Sequence, residues 1–230
     1  MPESNRDRLA AAALLLRPVL PDLVFVGGAV TGLLITDSAA GEPRATFDVD
    51  VIAEITSYAE YSEFGERLRA LGFSEDTREG APLCRWVNRR TVLDVMPLDE
   101  KVLGFSNRWY REAMETAVPH RIGVALVIRV VTAPLFLATK IEAFKSRGKS
   151  DAAFSHDLED LISVVDGRAA IVEEVRTSAD HLRAFIRTET AALLRRRTFT
   201  DALPGYLFPD AMSQARAGIV IDRLTALALQ

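Results

Sequence analysis

The sequence predicts an α+β fold, with a mixed β-sheet and flanking helices in the N-terminal half and only helices in the C-terminal half. Short apolar runs typical of buried strands are confined to the residues before Thr132. From Pro134 onward, the apolar residues recur at helical spacing. With 230 residues, 49% of them hydrophobic, the chain can bury a full core. We therefore predict an α/β domain over 1–131 and a helical domain over 132–230.

In the N-terminal half, turn-forming and helix-capping residues mark the ends of the predicted elements. Gly27-Gly28 ends an apolar run, Gly41 and Pro43 mark a loop, and Thr56-Ser57 offers helix caps. The predicted order is a helix over 5–17, a strand over 23–26, a helix over 29–35, a loop over 37–45, a strand over 47–55, a helix that ends at Gly72, and a hairpin of 83–87 with 90–96 around the turn Asn88-Arg89. The C-terminal helices are predicted over 134–147, 156–166, 169–197 with a break, and 211–229.

Composition excludes several classes of protein. A net charge of −4 argues against a protein that coats nucleic acid by charge alone, because such binding needs many Lys and Arg residues. The single cysteine, Cys84, excludes an internal disulfide framework. The most apolar stretch, 122–139, is interrupted by Arg129 and Pro134, so we expect no membrane span. The expected location is cytoplasmic, with no membrane partner.

The stretch Thr46-Phe47-Asp48-Val49-Asp50 places two carboxylates two residues apart on a predicted strand. Residues at this spacing project from the same face, about 6.5–7 Å apart along the strand. A cation would relieve the repulsion between Asp48 and Asp50, and hard oxygen ligands favour Mg²⁺ or Mn²⁺ over zinc. The alternative is a strand end whose carboxylates lie in water.

Asp94 lies in a second, otherwise apolar strand, where a lone carboxylate would be costly without a partner. If this strand lies near 47–55, Asp94 completes a set of three carboxylates able to hold metal ions for an in-line displacement. The alternative is an edge-strand residue turned to solvent. Gly27-Gly28 precedes a predicted helix, where backbone N–H groups can approach phosphate, although Gly-Gly is also a common plain turn.

Charged residues in the C-terminal half also mark a candidate site. Lys140 lies inside the apolar stripe of helix 134–147, so its charge is expected to reach a cleft; the alternative is a lysine extending from the border of the stripe. Asp157 and Asp160 are one helical turn apart, although Asp157 could instead serve the helix N-terminus. Arg44 suits a phosphate clamp by type, with surface solvation as the alternative.

The glycine turn, the Asp-Val-Asp strand and the later Asp94 strand resemble the DNA polymerase beta-like nucleotidyltransferase superfamily. More narrowly, the chain resembles AbiEii/AbiGii-type nucleotidyltransferases, many of which are toxins of toxin–antitoxin pairs. This narrower likeness rests on the motif from Arg44 to Asp50, on Lys140, and on the later run 156–161. It covers roughly residues 23–166.

The resemblance implies a nucleotidyltransferase-like sheet and an enzyme that moves a nucleoside monophosphate from a nucleoside triphosphate to a hydroxyl acceptor. It assigns metal binding to Asp48, Asp50 and Asp94, and nucleotide binding to residues Gly27, Gly28, Arg44, Thr46, Lys140 and Asp157, with Lys140 also catalytic. It further implies an antitoxin partner and a tRNA or protein acceptor. Two alternatives remain open: a small-molecule transferase of the aminoglycoside type, and a nucleotide-binding regulatory module without turnover.

Overall fold

The computed structural model describes residues 4–89, 91–123, 126–147 and 154–230. The chain forms two compact units. The first comprises Met1–Val30 and Ala45–Thr132, and the second comprises Thr31–Arg44 and Ala133–Gln230. The second unit therefore includes residues 31–44, a segment that the predicted division at 131/132 assigns to the N-terminal domain.

The first unit contains a seven-stranded mixed sheet, counted over the described residues. Its strands are β1 (Leu23–Val26), β2 (Asp48–Ala53), β3 (Ser74–Glu75), β4 (Arg85–Asn88), β5 (Thr91–Met96), β6 (Val118–Ile122) and β7 (Leu126–Val130). The order across the sheet is β3-β4-β5-β2-β1-β7-β6. The pairs β2–β5 and β1–β7 are parallel, whereas the other neighbouring pairs are antiparallel. All four residues of β1 are buried, as expected for a central strand.

The helices of the first unit are α1 (Asn5–Leu15), α3 (Tyr58–Ala70), α4 (Glu100–Leu103) and α5 (Tyr110–Thr116). Helix α3 begins with a capping box in which Ser57 accepts from the backbone N–H of Glu60, and the Glu60 carboxylate accepts from the backbone N–H of Ser57. Its buried face packs close to Trp86, because a Cβ on Gly65 would lie 3.0 Å from the Trp86 ring. The strands and helices thus enclose one apolar core.

The helices of the second unit are α2 (Thr31–Leu34), α6 (Ala133–Ser146), α7 (His156–Gly167), α8 (Ile171–Arg176), α9 (Asp180–Leu194), α10 (Arg197–Ala202), α11 (Ala211–Ala215) and α12 (Ala217–Leu229). Helix α6 packs on α7 and α9, and α12 packs on α9. Segment 31–44 joins this unit at the end of α7, where the backbone N–H groups of Thr36 and Asp37 both donate to the carbonyl of Gly167. Arg168 also donates to the carbonyl of Leu34 at 2.8 Å.

This architecture confirms the α+β class, with a mixed sheet and a helical C-terminal part. The predicted helix over 29–35 is shorter, because a 3₁₀ turn over Gly28–Val30 precedes the four residues of α2. The apolar stretch 122–139 divides between the β6–β7 hairpin and α6, and its residues 124 and 125 lie outside the described part. Among the described residues, none of the helices has the length and apolar character that crossing a membrane requires.

Candidate functional site

Three carboxylates lie on one face of two neighbouring strands in the first unit. In the parallel β2–β5 pair, Asp50 is directly opposite Asp94. Asp48 lies two residues before Asp50, so its side chain points to the same face. The predicted proximity of Asp94 to the Asp-x-Asp strand is therefore confirmed. We call Asp48, Asp50 and Asp94 the carboxylate triad.

Arg85 on β4 contacts two members of the carboxylate triad. It is directly opposite Asp94 in the antiparallel β4–β5 pair. Its Nε donates to Asp94 Oδ1 at 2.8 Å, while its Nη2 donates to Asp94 Oδ2 at 2.8 Å and to Asp48 Oδ2 at 2.7 Å. The hydrogen bond with Asp94 raises the pKa of Arg85, which is a cation at any pH of interest. One guanidinium thus neutralises part of the charge of the triad.

Gly27 makes room for the third carboxylate. Its φ is +72°, in the left-handed region that favours glycine. A Cβ at this position would lie 1.8 Å from Asp50 Oδ2 and 2.8 Å from Asp50 Cβ. A glycine is therefore required here because the Asp50 side chain fills the space that a Cβ would need, independently of any contact with phosphate. Gly28 follows as the first residue of the 3₁₀ turn, so the backbone after Gly27 is not the start of a long helix.

Thr46 lies two residues before the start of β2 and contacts its first residue. Its hydroxyl donates to the backbone carbonyl of Asp48 at 2.8 Å, and its backbone N–H donates to Asn5 Oδ1 at 3.0 Å. The residue is 4% exposed. These contacts hold the backbone of residues 46–48 in place and so help to position Asp48. The predicted contact of Thr46 with nucleotide stays a prediction.

The carboxylate triad offers the ligand chemistry that a divalent cation prefers. All three side chains offer hard oxygen ligands, which suit Mg²⁺ or Mn²⁺. Oxygens of Asp48 and Asp94 are turned toward Arg85, and in the described part of the chain no group of three or more Asp, Glu, His or Cys side chains stands as a ready ligand set. The carboxylates would therefore have to turn away from Arg85 to hold a metal ion.

A second charged cluster lies within the second unit, where α6 packs against α7. Lys140 Nζ donates to Asp160 Oδ2 at 2.6 Å and lies 3.4 Å from Asp157 Oδ1. Arg44 binds Asp160 through two hydrogen bonds of 2.9 and 3.1 Å, and Arg147 Nη1 lies 2.8 Å from Asp157 Oδ2. We call Arg44, Lys140, Arg147, Asp157 and Asp160 the Lys140 cluster.

The core of the Lys140 cluster is buried. Lys140 is 7% exposed, Asp157 is 4% exposed and Asp160 is fully buried. Lys140 lies within the apolar stripe, since Phe136, Leu137, Ile141 and Phe144 are all buried. That its charge reaches a cleft stays a prediction. A third carboxylate, that of Glu159, lies 3.9 Å from Arg44 Nε, so the three cations of the cluster face three carboxylates. Asp157 and Asp160 are turned to the same lysine, as their spacing of one helical turn predicts.

Sequence reasoning missed Arg85. Arg85 could have been found from the register of the predicted hairpin, because that register decides which β4 residue lies opposite Asp94. The predicted turn at Asn88-Arg89 lies one residue too early, because Asn88 still pairs with Thr91. Arg89 adopts a φ of +52°, and the predicted strand start at Arg90 lies outside the described residues. With the turn moved by one residue, Arg85 rather than Leu83 falls opposite Asp94.

Comparison with models of known protein families gives no match, and comparison with curated proteins gives no significant match either. The site is therefore argued from the geometry of its own residues. The likeness to AbiEii/AbiGii-type nucleotidyltransferases stays a resemblance of motifs.

Proposed function

We propose that the protein is a Mg²⁺- or Mn²⁺-dependent nucleotidyltransferase that moves a nucleoside monophosphate from a nucleoside triphosphate to a hydroxyl acceptor. The observation that carries this proposal is the carboxylate triad on neighbouring strands, with Asp50 directly opposite Asp94. Like charges directly opposite each other on a sheet are destabilising, so such a pair calls for a cation.

In this proposal, the three carboxylates hold the divalent cation. The bound cation would neutralise triphosphate charge and lower the pKa of the acceptor hydroxyl. Asp94 is 5% exposed, so its position is fixed by packing, whereas the Asp48 side chain is 34% exposed and open to a ligand from solvent. Gly27 leaves the space that the Asp50 carboxylate occupies.

We assign nucleotide binding in the second unit to Arg44, Lys140 and Asp157, following the family resemblance. The guanidinium groups of Arg44 and Arg147 suit a polyphosphate by type. Asp157 and Asp160 hold the Lys140 ammonium in place through their hydrogen bonds. Asp160 also holds the Arg44 guanidinium by a two-point contact, which fixes its plane.

The acceptor follows from the resemblance, which favours a tRNA end or a protein hydroxyl and an antitoxin as partner protein in the cytoplasm. The net charge of −4 leaves room for a small hydroxylated acceptor of the aminoglycoside type. One observation favours a second candidate function, a nucleotide-binding regulatory module without turnover. It is the engagement of Asp48 and Asp94 by Arg85, since a protein that never binds metal needs such a permanent counterion.

The test is transfer of label from each of the four α-³²P-labelled nucleoside triphosphates, with Mg²⁺ or Mn²⁺, to separate pools of tRNA, cell protein and aminoglycosides. We expect label in one pool with the wild type, and background labelling with Asp50→Asn. Asp22→Asn is the matched control, because it removes an exposed carboxylate of the first unit that pairs with the exposed Arg67. Labelling that persists in Asp50→Asn would refute the assignment of the carboxylate triad as the catalytic site. Triphosphate binding by calorimetry without pyrophosphate release would favour the regulatory module.

A further inference from the structure

A row of directly opposed residues crosses the middle of the sheet. Arg85 on β4 is opposite Asp94 on β5, Asp94 is opposite Asp50 on β2, and Asp50 is opposite Val26 on β1. Side chains in directly opposed positions have Cβ atoms about 4.5–5.5 Å apart. The row therefore places one cation beside two carboxylates, and Asp48 adds a third carboxylate to the same guanidinium.

The contacts of Arg85 use oxygens that a divalent cation would need. Asp48 Oδ2 and Asp94 Oδ2 both accept from the same nitrogen, Nη2 of Arg85. A Mg²⁺ ion binds carboxylate oxygens at about 2.1 Å and would share these two oxygens with the guanidinium. Two positive groups in one place also repel each other. Binding of the metal ion therefore competes with the present position of Arg85.

A second position for the Arg85 side chain is available in the first unit. A cavity of about 500 Å³ is lined by Arg85 together with Glu75 and Asp76. Asp76 accepts from Arg78 and Glu75 accepts from Arg69, so Arg85 would share these carboxylates with other arginines. The arginine stem is long enough to change its rotamer without moving β4.

We propose that Arg85 is a built-in counterion of the carboxylate triad, which holds Asp48 and Asp94 in the metal-free protein and releases them when a divalent cation binds. Arg85 then sets the metal affinity of the site, because the cation has to displace three hydrogen bonds to a charged group. This inference rests on the proposed function, since it assumes that the triad binds metal.

The experiment measures Mn²⁺ binding to the full chain by the loss of the free Mn²⁺ signal in electron paramagnetic resonance. Arg85→Gln is expected to bind Mn²⁺ about tenfold or more tightly than the wild type, since one hydrogen bond to a charged group contributes at least about that factor. Arg85→Lys keeps a cation but loses the two-point contact, so its affinity should lie between the two. Arg67→Gln, which removes an exposed arginine of the first unit paired with Asp22, is the matched control and should bind as the wild type does.

Each outcome decides a separate claim. If Arg85→Gln binds Mn²⁺ more tightly than the wild type, and adding Asp50→Asn abolishes that binding, the role of Arg85 as a counterion is supported. Equal or weaker binding in both Arg85 variants, with Asp50-dependent binding in the wild type, overturns the counterion and leaves the metal site standing. Absence of Asp50-dependent binding in the wild type and in Arg85→Gln overturns the metal site itself. The near-ultraviolet circular dichroism of the buried Trp86 shows that each variant is folded, and Arg85→Lys carries the test if Arg85→Gln does not fold.

Discussion

Replacing Lys140 with methionine tests whether the Lys140 cluster stabilises the second unit. Removing one partner of a buried ion pair typically costs about 3 to 5 kcal/mol, because the remaining charge stays buried without compensation. Asp160 is fully buried and loses its 2.6 Å contact in this variant. It keeps both hydrogen bonds from Arg44, however, which lowers the expected cost.

We therefore expect Lys140→Met to lower the free energy of unfolding by about 2 to 3 kcal/mol. The methionine retains an apolar stem next to Phe136, whose ring lies 5.7 Å from Lys140 Nζ, so lost packing adds little. For a chain of this length, about 2 to 4 °C of melting temperature is lost per kcal/mol, which predicts a fall of about 4 to 12 °C. Thermal unfolding followed by far-ultraviolet circular dichroism measures the change.

Two further variants identify the charge as the cause. Lys145→Met on the same helix removes an exposed lysine paired with Glu189 and should cost less than about 1 kcal/mol. The double variant Lys140→Met/Asp160→Asn should be more stable than the sum of the two single changes predicts, by about 1 kcal/mol or more. A Lys140→Met protein that melts with the wild type would refute the reasoning, as would strict additivity in the double variant.

Two other predictions concern the first unit. Gly27→Ala should cost more stability than Gly80→Ala, by at least about 1 kcal/mol: both glycines have positive φ and lose about 1–2 kcal/mol to strain, but only Gly27 has the Asp50 carboxylate where a Cβ would lie. Equal losses of unfolding free energy in urea for the two variants would show that the position of the Asp50 side chain does not require a glycine at 27. Cys84 should resist thiol reagents at pH 7 and 8 in the folded protein, because burial and the nearby charges of Asp94 and Asp50 raise its pKa to about 12. Rapid reaction with a chromogenic disulfide in the absence of denaturant would contradict this.

Local patterns were enough to predict the elements that bear the triad. Alternating residues around Asp48 and the apolar run around Asp94 identify two strands, and a parallel pairing brings Asp50 opposite Asp94. The apolar stripe around Lys140 likewise predicts helix α6 and its buried face. In these places, periodicity alone fixes which face of an element is buried.

The partners of the charged groups could not be predicted in the same way. Arg85 meets Asp94 only if the hairpin register is correct, and moving the turn by one residue replaces arginine with Leu83 at that position. The contact of Arg44 with Asp160 joins residues 116 positions apart, so it depends on where segment 31–44 packs. Strands β6 and β7 were also missed. Strand β6 contains Pro119, His120 and Arg121 and so has no apolar run, whereas β7 lies in the apolar stretch 122–139, which gives no clear signal for where one element ends.

The fate of the transferred phosphorus distinguishes nucleotidyl transfer from other reactions of a triphosphate. Parallel reactions contain α-³²P- or γ-³²P-labelled triphosphate, Mg²⁺ and the acceptor pool that takes up label. We expect the α-label to enter the acceptor and the γ-label to leave as pyrophosphate, and we expect neither with Asp50→Asn. If the γ-label enters the acceptor or is released as orthophosphate, the protein transfers or hydrolyses the terminal phosphoryl group and is not a nucleotidyltransferase.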